Sequence, residues 1–163
     1  MNMQSKYIVL FSYHWDTNDR LIELAEKLSE DDYKMSSGYG NGSIHEILFH
    51  VLRADQAWRL GIETLRQNPP LDIKDYPDLK SLKTGFKSER KAWEILMDKM
   101  SDEYINKNMI MRNIKGKEYS FSCWRVLQHV ILHGMQHHAE LSQLLTAKGY
   151  SPSNIDFLFY RNN

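Results

Sequence analysis

Residues 122–149 read SCWRVLQHVILHGMQHHAELSQLLTAKG and contain the clearest helical pattern of the chain. Residues at intervals of three or four predict one buried face on a long helix. That face carries Val126, Val130, His133, His137, Leu141 and Leu144. Gly149 is expected to end the helix, and Pro152 follows it. The chain has seven histidines, and the local density between His129 and His138 makes their role the main question.

Three earlier segments show the same helical spacing. The first precedes the turn-rich residues 36–42, and its stripe reads Tyr7, Phe11, His14, Asn18, Leu21, Ala25 and Leu28. The second opens with a capping box of Ser43 and Glu46 and is expected to stop at Asn68, Pro69 and Pro70. Its stripe reads Ile44, Leu48, Val51, Asp55, Trp58, Ile62 and Leu65. The third follows a linker to about Pro77, with Leu79, Leu82, Phe86, Trp93, Leu96 and Met100.

Four long amphipathic helices predict an all-α four-helix bundle, in a single domain over residues 1–163. Between the third and fourth helices the pattern changes to short runs around Gly116, which predict a small β-hairpin or an irregular loop at residues 109–121. The aromatic tail after Ser151 is expected to pack on the bundle.

Composition excludes several classes of protein. The 21 basic residues balance the 21 acidic ones, so the chain has no net attraction to nucleic acid or anionic lipid. Cys123 is the only cysteine, which rules out an internal disulfide and a cysteine-based zinc finger. Neither a bilayer-spanning segment nor the apolar stretch of a signal peptide is evident. We therefore expect a soluble, cytoplasmic protein that binds neither nucleic acid nor membrane.

His133 and His137 have the spacing of metal ligands. Four residues apart on a helix, they lie about 40° apart and one turn along, close enough to bind one ion. Both belong to the apolar stripe, where an unpaired imidazole would be costly. They are either ligands or histidines bonded to backbone or neighbours, and a third ligand would decide between the two. His50 is the best candidate, at the edge of the buried face of the second helix.

The other histidines fit a metal site less well. The sequence HEILFH (residues 45–50) has one residue more between its two histidines than the metalloprotease pattern. On a helix the rings of His45 and His50 therefore point roughly 140° apart. His45 is therefore expected to face solvent. His129, one turn before His133, is expected to support the site or belong to the core, and His138 is not expected to be a ligand.

These residues resemble the DinB-like, or YfiT-like, metal-binding four-helix bundles over nearly the whole chain. The resemblance is carried by residues 127–140 and 48–52, together with Asp55, Trp58, Gly149, Pro152 and Asp156. It implies a bundle with a long crossover connection and a metal site formed by His50, His133 and His137. The chain departs from the family at residues 138–140, where many members carry Arg-Gly-Gln, and follows the usual first-helix pattern only loosely.

Three neutral imidazoles would leave a divalent ion with an open position, as in catalytic zinc sites. Such an ion can activate water or polarise a thiolate or carbonyl, which fits hydrolysis and thiol transfer equally. Zinc is favoured, and nickel and iron are alternatives, because imidazole binds all three. Asp55 is the candidate catalytic residue, as a base or as an acceptor for a ligand N–H. Its alternative is a buried ion pair with Arg53, Arg59 or a residue of another helix.

Two functions follow from this site. The first is a metal-dependent enzyme acting on a small molecule, as a hydrolase or as a transferase that uses a low-molecular-weight thiol, the latter implied by the resemblance. The second is a non-catalytic metal-binding stress-response or interaction protein. A homodimer is expected under either function. His14 and Asn18 are expected to face inward, and Cys123 is expected to be buried and inert.

Overall fold

A computed structural model describes residues 1–38, 40 and 42–161. Its helices are α1 (Met3–Ala25), α2 (Glu30–Lys34), α3 (Ile44–Thr64), α4 (Leu79–Lys99), α5 (Asp102–Asn106) and α6 (Cys123–Ala147). Strands β1 (Asn108–Arg112) and β2 (Glu118–Ser122) form an antiparallel hairpin. The four long helices and the hairpin before α6 confirm the predicted fold. None of the helices in the described ranges is long and apolar enough to cross a membrane.

The long helices pack in an order that differs from their order in the chain. Both α1 and α3 pack against α4 and against α6. The consecutive long helices α1 and α3 therefore lie at opposite corners of the bundle, and the chain crosses over between them. As a result α3 and α6, which carry the candidate metal ligands, are direct neighbours.

The core consists of two clusters of buried apolar side chains. Trp93 lies in one of them, fully buried, with its ring centroid 4.6 Å from that of Phe11. The other gathers Leu48, Leu82 and Leu141 from three helices. Most of the predicted stripe positions are buried, because the 3.6-residue period places them on one face.

Helix α3 begins as predicted and ends earlier than predicted. Ser43 and Glu46 form the expected capping box. The helix stops at Thr64, and Leu65 takes the left-handed conformation with φ 56°. The chain then runs beside β1: the amide of Gln67 donates to the carbonyl of Arg112 at 2.7 Å, and the amide of Arg112 donates to the carbonyl of Leu65 at 3.0 Å. Pairing with the hairpin therefore ends the helix before the prolines do.

The aromatic tail packs less than predicted. The ring of Phe157 lies against Tyr13 at 5.2 Å between centroids, and the Tyr13 hydroxyl donates to the carbonyl of Ile155 at 2.6 Å. Leu158 and Phe159 nevertheless remain 84% and 66% exposed. Both residues lie in a short 3₁₀ turn at Phe157–Phe159.

One ion pair is buried between α3 and α4. Arg59 donates from Nε and Nη2 to the two carboxylate oxygens of Glu89, at 2.6 and 2.9 Å. Their side chains are 11% and 7% exposed. Burial raises the pKa of Glu89 above its usual value, although Arg59 acts in the opposite direction. The pair therefore depends on both partners remaining in place.

Candidate metal centre

The structure brings His50, His133 and His137 together at the α3–α6 contact. The Nε2 atom of His133 lies 3.0 Å from Nε2 of His50 and 3.1 Å from Nε2 of His137. One ring nitrogen from each residue lies within 4.8 Å of the other two. His137 is buried, whereas His50 and His133 are partly exposed. A small molecule can therefore approach the cluster from the side of these two rings.

Glu140 fixes the ring of His137. Nδ1 of His137 lies 2.9 Å from Oε2 of Glu140, one turn further along α6. In the neutral imidazole the Nδ1–H donates to this carboxylate, so the lone pair is on Nε2 and points at the other two histidines. A carboxylate behind the ring is the usual partner of a metal-binding histidine.

With neutral imidazoles, three converging nitrogens cannot all be satisfied by one another. The Nε2 of His133 contacts two other Nε2 atoms and carries at most one proton. Once His137 donates from Nδ1, at most one of the two contacts can therefore be a linear hydrogen bond. A cation between the nitrogens removes this conflict.

The electrostatics of the cluster favour the form of histidine that binds metal. Burial, followed by the neighbouring imidazoles, lowers the pKa of His133 to about 4. Burial and the charges of His137 and Arg53 also lower the pKa of His50. His50 and His133 are consequently neutral near pH 7, as metal ligation requires.

The spacing of the nitrogens fits a metal ion. Two nitrogen ligands of a tetrahedral zinc ion, each bonded at about 2.0–2.1 Å, lie roughly 3.3 Å apart. The two contacts made by His133 are close to this value. The donor set, its spacing and the carboxylate behind His137 therefore suit a divalent ion, and the role of the three histidines as ligands stays a prediction.

Comparison with known proteins shows the family of the chain. The sequence profile of the DinB family matches residues 1–163. The chain belongs to the DinB family. No match was found among curated protein sequences.

Three solved structures share the fold of this DinB protein. YfiT from Bacillus subtilis, described as a probable metal-dependent hydrolase with an unusual four-helix bundle topology, aligns with a TM-score of 0.69 and 13% identity over 91% of this chain and 89% of that one. A DinB-like protein from Bacillus cereus aligns with a TM-score of 0.68 and 15% identity over 91% of this chain and 94% of that one. The DinB-like YjoA from Bacillus subtilis aligns with a TM-score of 0.63 and 18% identity over 87% of this chain and 92% of that one. At these identities the comparison shows the fold alone.

Asp55 contacts a histidine that is not one of the three. Its Oδ2 lies 2.8 Å from Nε2 of His14, and both side chains are almost completely buried. Nδ2 of Asn18 lies 3.2 Å from the same His14 nitrogen. Of the two alternatives for Asp55, the contact seen in this DinB protein is the pairing with a residue of another helix. The partner is neither Arg53 nor Arg59.

The buried polar group extends across the bundle to His138. Nε2–H of His138 donates to Oδ1 of Asn18 at 2.8 Å, and the His138 ring stacks on that of His14 with centroids 5.1 Å apart. His14, Asn18 and His138 thus face inward and satisfy one another in part. On α6, Gly134 lies directly against the His14 ring. A Cβ at position 134 would overlap this imidazole.

Two expectations about the remaining histidines need correction. His45 is buried rather than facing solvent, and its Nε2–H donates to the carbonyl of Tyr76 at 2.7 Å. The linker before α4 covers this face of α3. His129 is exposed, which excludes a place in the core. Its ring lies 5.0 Å from Trp58 and 5.9 Å from His133, and its role in supporting the site stays a prediction.

Cys123 of this DinB protein is expected to be unreactive in the folded state. Its side chain is fully buried, and this burial raises the pKa of the thiol to about 11. At pH 8 only on the order of one thiol in a thousand is then ionised. We expect a disulfide reagent such as DTNB to react at least about 100-fold faster with guanidinium-unfolded protein than with native protein. Rapid labelling of the native protein would show that Cys123 is accessible.

Proposed function

We propose that this DinB protein is a metal-dependent enzyme that acts on a small molecule, with hydrolysis as its reaction. The observation that carries the proposal is the convergence of Nε2 atoms from His50, His133 and His137 at a partly exposed site. The description of YfiT as a probable metal-dependent hydrolase supports the same class of reaction.

Each residue of the site has a distinct part in this proposal. His50, His133 and His137 would hold the ion, and Glu140 would keep the His137 ring oriented through Nδ1. When bound, a divalent ion supplies Lewis-acid chemistry, either lowering the pKa of a coordinated water or polarising a carbonyl group. Zinc is the ion we propose, with nickel and iron as alternatives, because three imidazoles suit all of them.

Thiol transfer is the related reaction that the same site would support. The buried thiol of Cys123 makes it a poor nucleophile for such a reaction. A transferase would therefore use a free low-molecular-weight thiol as co-substrate. Turnover of a thiol adduct only when a free thiol is added would identify this variant of the proposed function.

Metal content of single variants tests the site. We expect about one ion per chain in protein purified without a nickel column, measured by mass spectrometry of the metals. His50→Ala, His133→Ala and His137→Ala should each reduce bound metal at least about tenfold, because two imidazoles hold a divalent ion poorly. His129→Ala is the matched control, because His129 lies on α6 one turn from His133 and is exposed. If one of these three variants retains the full metal content, the histidine that it lacks is not a metal ligand.

Activity of the metal-loaded protein tests the reaction. The proposal expects hydrolysis of at least one member of a panel of esters, amides and thiol adducts, with loss of turnover in the metal-deficient variants. Stoichiometric metal with no turnover across the panel would instead support the non-catalytic metal-binding protein. The homodimer stays a prediction, which sedimentation of the native protein would test.

A further inference from the structure

A cavity of about 370 Å³ lies between the end of α3 and the hairpin, apart from the three histidines. Its lining combines an apolar wall with a polar rim. The apolar wall is formed by Ala57, Trp58, Met111, Tyr119 and Phe121, and the rim by Arg66, Gln67, Arg112 and Asn113. The volume falls at the lower end of the range for small-molecule sites, which runs from about 300 to 1,000 Å³.

The two arginines of the rim differ in their partners. Arg112 donates from Nε to Oε1 of Glu118 at 2.8 Å, so its charge is balanced within the hairpin. The guanidinium of Arg66 makes no ion pair or hydrogen bond within residues 1–38, 40 and 42–161. Among the described residues that line the cavity, Arg66 is therefore the cation without a protein partner, and it lies beside aromatic rings.

The backbone around Arg66 is held in place. The two hydrogen bonds that join residues 65–67 to Arg112 set Arg66 opposite the hairpin in a parallel bridge. The side-chain oxygen of Gln67 also accepts from the amide of Ile114 at 3.3 Å. This pairing fixes where the Arg66 side chain starts, so a ligand need not order a mobile loop.

We propose that this cavity binds a small carboxylate with an aromatic or other apolar body. The carboxylate would pair with Arg66, whose planar guanidinium matches the geometry of two carboxylate oxygens. The apolar body would lie against Trp58, Met111 and Phe121 and bury its surface there. A neutral ligand of the same shape would gain only the second of these contributions.

The cavity also adjoins the candidate metal centre through a row of rings. Trp58, which forms part of its wall, contacts His129, and His129 contacts His133. Use of the cavity to anchor the acidic end of a substrate rests on the proposed function. Binding of the carboxylate itself requires no metal and can be measured without it.

The test compares 2-naphthoate with its neutral amide, 2-naphthamide, on the full chain stripped of metal by a chelator. The indole N–H resonance of Trp58 in ¹⁵N-labelled protein reports binding. We expect naphthoate to bind about tenfold more tightly than naphthamide. Arg66→Gln should abolish this preference while naphthamide binding remains, and Arg66→Lys should restore part of it.

Lys87→Gln is the control for charge, because Lys87 is exposed on α4 and does not line the cavity. It changes the net charge as Arg66→Gln does and should leave the preference intact. Equal binding of the two ligands, or a preference that survives in Arg66→Gln, would overturn the proposal. Naphthoate binding that appears only after metal is added would also overturn it, since the carboxylate would then be bound at the histidines.

Discussion

Arg59→Ala is expected to lower the free energy of unfolding by about 3–5 kcal/mol. The substitution leaves the carboxylate of Glu89 buried between α3 and α4 without its two donors. Loss of one partner of a buried pair costs more than loss of both, because the remaining charge keeps its desolvation penalty. Urea denaturation of parent and variant at pH 7 measures the effect.

The pH dependence of Arg59→Ala has a defined sign. Burial raises the pKa of Glu89, and removal of Arg59 removes its main opposing cause. The folded variant therefore binds a proton more tightly than the unfolded chain, so its stability falls as pH rises from about 4.3 through the raised pKa. Below about pH 4.3, the difference in the free energy of unfolding between the variant and the parent should become smaller.

A double variant supplies the control for this pair. Arg59→Met combined with Glu89→Leu replaces both charges by apolar groups of similar size, and it should recover most of the stability lost in Arg59→Ala. A loss in Arg59→Ala of less than about 1 kcal/mol would mean that the pair is hydrated like a surface ion pair.

Asp55→Ala is expected to lower the free energy of unfolding by about 1–3 kcal/mol while leaving the metal content unchanged. The reason is that the Asp55 carboxylate accepts from the buried His14 ring and has no contact with His50, His133 or His137 among the described residues. Removing it strands a polar ring that is 1% exposed at the centre of the bundle. Chemical denaturation together with metal analysis measures both effects.

Asp55→Asn separates a structural role of Asp55 from a catalytic one. The amide retains an acceptor oxygen of nearly the same shape, so stability should fall by only about 1 kcal/mol. If Asp55 acts as a base, Asp55→Asn should lose turnover despite near-normal stability and metal content. Loss of metal in either variant would contradict the assignment of Asp55 to the His14 pair alone.

The sequence predicted the long helices well, because their stability depends on a repeated apolar face. The stripes at Phe11, Leu48, Trp93 and Leu141 are buried as the 3.6-residue period requires. Local chemistry also predicted the start of α3 at Ser43. The end of α3 was set by pairing with the hairpin, a contact between distant segments that periodicity does not encode.

The same distinction applies to the site. The spacing of His133 and His137 predicted that they lie together. The place of His50 at the edge of the buried face made it the best third candidate, and the resemblance to a family implied the same three residues. Glu140 was missed, although an acid three residues after His137 is within reach on a helix. His45 was predicted to face solvent from its angular position on the helix. That position does not reveal the linker before α4, which covers His45 in the structure. The partner of Asp55 could not be predicted, because the sequence does not show which helices face one another across the bundle.

The histidines at the α3–α6 contact are separated by 83 residues along the chain. During synthesis on the ribosome, His50 emerges long before His133 and His137, and the intervening α4 and hairpin must be made first. The cluster therefore cannot form until α6, with His133 and His137, has been translated. Metal loading should follow synthesis of α6, and an ion held there would tie both ends of this long segment together in the folded protein.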